Sequence, residues 1–80
     1  MAKYLICYDI HNRQNRDISA LDDFLNAHDC RRLNETACRI LSSLTTEQIC
    51  NKLKALLTNK EDRFSVANAN ELYVYNAIED

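Results

Sequence analysis

The residue whose placement most invites chemistry is Asp9, which closes the apolar run "KYLICYD" spanning 3–9. A carboxylate at the end of a strand stands on the rim of a sheet, where it can serve as a metal ligand. Aspartate is also a common turn initiator, so the same position fits a plain strand end. His11 follows two residues later. If the strand continued that far, the two side chains would share a face and His11 could act as a general base or second ligand. Five arginines, Arg13, Arg16, Arg31, Arg32 and Arg39, could grip phosphates with their planar guanidinium forks. They fit equally an ordinary solvated surface, with Arg39 paired to Glu35 across a hairpin.

Those residues need a scaffold. Residues 3–9 read as a strand, and because "YLICY" is apolar at consecutive positions, both of its faces should be covered. Residues 16–28 change period. Ile18, Leu21, Phe24, Leu25 and His28 recur at helical steps, with Asn15 or Asp17 available to cap the start. "CRRL" and "TACRILS" flank Asn34-Glu35 as a hairpin. In "LTTEQICNKLKALLTN", Thr45 and Gln48 form a capping box, Leu44 can staple onto Ile49, and Asn59 can cap the end. "DRFSVAN" is a further strand, and "ELYVYNAI", about 71–78, a fifth strand or an extended tail.

The expected order is β-α-β-β-α-β plus one strand: an α+β chain, ferredoxin-like, in one domain over 1–80 with its core at about 2–67. The left-over strand carries Tyr73 and Tyr75, which are expected to cross into a second copy and fill a homodimer interface.

Composition narrows the function. Eighty residues support one marginal core, which self-association would enlarge. The four cysteines, Cys7, Cys30, Cys38 and Cys50, contain no Cys-x-x-Cys pair, and no secretory pattern opens the chain. They are expected to be reduced thiols in a cytoplasmic protein, not zinc ligands. No stretch approaches the length of a membrane span. With no glycine there is no glycine-rich phosphate loop, so no nucleotide cofactor is expected, and turns fall to asparagine and aspartate. A net charge of −2 argues against a protein that coats duplex DNA.

Taken in order, "YLICYDI", "ALDDFLNA", "ETACRILSSLTTEQICNKLKALL" and "EDRFSV" resemble the CRISPR-associated Cas-two family and its relatives, the virulence-associated protein D toxins and the small SinR-like proteins. The similarity to the SinR-like group runs along most of the chain. The resemblance implies a homodimer with two sheets face to face and the fifth strand exchanged. It further implies a metal-dependent endoribonuclease in which Asp9 of both protomers holds Mg2+ or Mn2+ and RNA is the partner. The alternative is a catalytically inactive dimeric module that binds nucleic acid or protein. The chain departs from the family in three ways: Arg13 and Arg16 are spaced three apart, Cys38 replaces a strand aromatic, and glycine is absent.

Overall fold

The structure is a computed structural model and describes residues 1–77. Its elements are β1 (Ala2–Asp9), a 3-10 turn (Arg13–Asn15), α1 (Ser19–Asn26), β2 (Arg31–Asn34), β3 (Ala37–Ser42), α2 (Thr46–Leu56) and β4 (Arg63–Asn68). The strands form one sheet in the order β2-β3-β1-β4, with every neighbouring pair antiparallel. This small α+β arrangement of four strands and two helices is compatible with the ferredoxin-like fold.

Alternation along the central strand divides the sheet into two faces. Tyr4, Ile6 and Tyr8 point to the helices and join a core with Leu21 and Leu25 of α1, Ile49 and Leu53 of α2, and Cys38 and Ile40 of β3. Each such aliphatic side chain contributes about 1.5–3 kcal/mol by burial. Both tyrosines bring a polar tip into this core. The Tyr4 hydroxyl donates to the Leu44 carbonyl at 2.7 Å, and the Tyr8 hydroxyl accepts from Arg32 at 2.8 Å. The opposite face carries Lys3, Leu5, Cys7 and Asp9. The first three of these are only half-buried, so strand one is fully covered on one side alone.

Local chemistry sets the element ends. Thr45 and Gln48 bond reciprocally as the expected capping box of α2. The α1 helix is shorter than the periodicity suggests. Asn12 adopts a left-handed conformation at φ 54°, a 3-10 turn follows, and Arg16 is extended. The cap position of α1 is Ile18 and no side chain caps it, so neither Asn15 nor Asp17 takes that role; Asp17, one residue earlier, accepts from the Ser19 N–H at 2.9 Å. Asn59 does not cap α2, which closes at Leu57 through a bond to the Leu53 carbonyl. Its side chain instead accepts from the Glu61 N–H and shapes the turn into β4.

The expected fifth strand is not formed in the single chain. Residues 71–77 make no strand, and position 78 lies outside the described residues. The alternation survives without the ladder: Leu72 and Val74 are half-buried, while Tyr73 and Tyr75 are 88 % and 77 % exposed. Leu72 and Val74 reach the open face of the sheet, where they line a small cavity with Lys3, Arg31, Leu33 and Arg39. The pull on this segment is therefore apolar cover, and its backbone donors and acceptors are left without a strand partner. Among the described residues, no helix is long and apolar enough to cross a membrane.

Candidate functional site

Asp9 ends β1 on the open face, exposed, directly opposite Arg63 in the β1–β4 register. The two belong to the lining of a cleft of about 510 Å3 with Cys7, Tyr8, Thr36, Phe64 and Ser65. The Asp9 carboxylate takes no hydrogen bond and no ion pair among the described residues. Arg63 and Thr36 escaped the sequence reading. Only the strand register brings them to Asp9, and no local pattern encodes a register.

The chain after Asp9 is pinned by a second carboxylate, Asp62, just before β4. Its side chain is 1 % exposed and receives both guanidinium nitrogens of Arg16, at 2.5 and 2.8 Å, and the His11 N–H at 2.9 Å. The Arg16 fork, ahead of the backbone donors, holds the Asp62 carboxyl down at about 2. Arg16 also donates to the His11 carbonyl, which closes the loop on itself. His11 lies past the end of the strand and its Nδ1 meets Glu61 at 3.0 Å. The i, i+2 relation to Asp9 is thus broken, and the imidazole is turned to a surface carboxylate.

Among the candidate phosphate-binding arginines, Arg13, Arg16 and Arg32 hold the fold through side-chain contacts. Arg16 belongs to Asp62. Arg13 donates to the Glu35 carbonyl at 2.6 Å and stands over the Tyr8 ring at 5.9 Å, a cation–π distance. Arg32, on the helix side of the sheet, donates to the Tyr8 hydroxyl and approaches Asp22 at 3.5 Å. Burial pushes the Tyr8 hydroxyl pKa up, against the lowering pull of Arg32. The other two, Arg31 and Arg39, face each other across β2 and β3 on the open side. Arg39 does not pair with Glu35. Its strand neighbours are Leu5 and Arg31, and its Nε is buried with no hydrogen-bond partner among the described residues.

One of the thiols, Cys38, is a packing group of the core. Cys38 is fully buried, and burial first, with Cys30 beside it, pushes its pKa up to about 12, far from a reactive thiolate. His28 packs edge-on against Phe24, with ring centroids 4.9 Å apart. Tyr73 and Tyr75 stand away from the Asp9 cleft and line no part of it.

Among the described residues, no group of three or more histidine, cysteine or acidic side chains could hold a metal ion. One chain offers Asp9 alone at the cleft, and a cation stands opposite it, so the donor set of a single chain does not fit a divalent metal. The chain matches no family model, no curated protein and no solved structure.

Proposed function

We propose that the chain acts as a homodimer on RNA phosphodiester bonds, with Asp9 at the rim of the open sheet face as the working carboxylate. One observation carries this reading. Asp9 lines a cleft of about 510 Å3 and has no partner among the described residues, whereas Asp17, Asp22, Glu61 and Asp62 are each committed to a local contact. The resemblance to the Cas-two and virulence-associated protein D nucleases supplies the activity. The half-covered face of β1 supplies the reason for a second copy: Leu5 and Cys7 gain cover only from outside the sheet.

A Mg2+ or Mn2+ ion enters this reading only through the dimer. Two Asp9 carboxylates brought together across a twofold axis would double the oxygen ligands that one chain provides, and a hard cation takes such ligands. Arg63, the register partner of Asp9, favours the second reading, a dimeric module without catalysis, because a guanidinium within reach of that carboxylate would compete with a metal for it.

The two readings part in one assay. Purified protein and its Asp9→Asn variant are incubated with single-stranded RNA, with and without Mg2+ or Mn2+. Metal-dependent cleavage by the wild type alone supports the enzyme. Equal behaviour of the two proteins overturns Asp9 as the working residue and leaves the binding module.

A further inference from the structure

The chain leaves β4 with one last bond to the central strand, from the Ala69 N–H to the Lys3 carbonyl at 2.8 Å. Residues 71–77 then continue without forming a strand. Leu72 and Val74 are half-buried, and with Lys3, Leu33 and Arg39 they line a cavity of about 170 Å3. Those three residues belong to β1, β2 and β3, so the segment starts from the β4 edge and crosses the open face towards the other edge. Tyr73 and Tyr75 alternate with the two anchors and face away from the sheet, exposed.

This crossing segment is loosely held. Its apolar anchors are two side chains, neither fully buried, and they leave a cavity against the sheet where a close-packed core would leave none. Arg39, which lines the same cavity, keeps its Nε buried without a hydrogen-bond partner among the described residues. The closed arrangement is therefore imperfect in polar pairing as well as in packing. Segments with few buried contacts and no strand partner open at low free energy.

A second copy needs the same surface. Sheets stacked face to face lie about 10 Å apart with their side chains interdigitated, which leaves no room for an extended chain between them. We propose that residues 71–77 are a strap that closes over the open face of its own chain and must swing off before a second copy can pack there. The strap opposes dimerisation. This is the reverse of an exchanged strand, in which the same residues would hold the dimer together. The inference rests on the homodimer proposed above. Both protomers must open, so the open fraction enters the apparent dissociation constant squared, and an open fraction of about one third weakens the dimer about tenfold.

Sedimentation equilibrium of the full chain tests the strap, with the wild type beside Leu72→Asn and the double variant Leu72→Asn/Val74→Asn. Both positions lie outside the helices and strands, and circular dichroism confirms that each variant is folded. The strap predicts a dimer at least about tenfold tighter in the double variant and about threefold tighter in Leu72→Asn. Should the double variant fail to fold, Leu72→Asn carries the test alone. A smaller gain, or none, overturns the strap and leaves the homodimer standing. A weaker dimer in the variants also overturns it, and gives residues 71–77 to the partner's surface instead. If wild type and variants are all monomeric at high concentration, the homodimer itself fails and the strap falls with it.

Discussion

The two faces of this sheet are made from alternate residues of the same strands, yet they meet opposite demands. On the helix side Tyr4, Ile6 and Tyr8 are buried, and the polar atoms at the tyrosine tips have partners in Leu44 and Arg32. On the open side Leu5 and Cys7 are half-covered, Asp9 has no partner among the described residues, and Arg39 keeps a buried, unsatisfied nitrogen. Polar pairing on the helix side has one exception, the buried Asp22 Oδ1, which has Arg32 at 3.5 Å but no hydrogen bond; the close packing of that side is what specifies the fold. Incomplete cover marks the side where function is to be sought.

Substitutions should respect that division. The largest effect is expected at Ile6, fully buried between sheet and helices: Ile6→Ala should lower unfolding free energy by about 2–5 kcal/mol in urea titration. A smaller loss there would mean that the core closes over the gap.

Next comes the Asp62 latch, where Asp62→Ala should lower stability by less than Ile6→Ala in the same titration, because it removes both fork bonds of Arg16 and the acceptor of the His11 N–H. The same pair sets a pH dependence. Asp62 titrates at about 2 in the folded chain against 3.8 when unperturbed, so the unfolded state takes up its proton first as pH falls. Its stabilisation is complete above about pH 4 and is lost progressively towards pH 2. Acid unfolding followed by circular dichroism should therefore be less steep in that window for Asp62→Ala than for the wild type.

A third, smaller effect tests the helix layer alone. Thr45→Ala removes one half of the capping box and should cost about 1 kcal/mol. At the open rim, Asp9→Asn should shift stability by no more than about 0.5 kcal/mol, since no contact among the described residues depends on that carboxylate. A larger loss would turn Asp9 from a working residue into a structural one.

Much of the scaffold was legible in the sequence. The Thr45–Gln48 box, the period switch between 3–9 and the first helix, and the hairpin at Asn34-Glu35 are all encoded within a few residues. The site was less so. The Arg16–Asp62 pair joins residues 46 apart, and without it Arg16 reads as a free phosphate ligand. The separation of Arg31 and Arg39 from Arg13, Arg16 and Arg32 depends on which face and which register each occupies, as does the meeting of Asp9 with Arg63. Asp29 adopts a left-handed conformation at φ 53° as an unanticipated turn residue, though of a type that tolerates it. The segment 71–77 shows strand alternation without a strand, because alternation reports which side chains are covered and not what the backbone bonds to.

The central claim is that the open face is completed by a second copy of the chain. Sedimentation equilibrium of the wild type beside Leu5→Glu tests it most directly. Leu5 sits in the middle of that face, between Arg39 and Ala67 in the two adjoining strands. A wild-type mass of twice the 9.3 kDa chain, falling to a folded monomer in Leu5→Glu, is the predicted result. A wild type that stays monomeric at high concentration, or a variant that dimerises as tightly as the wild type, would contradict it.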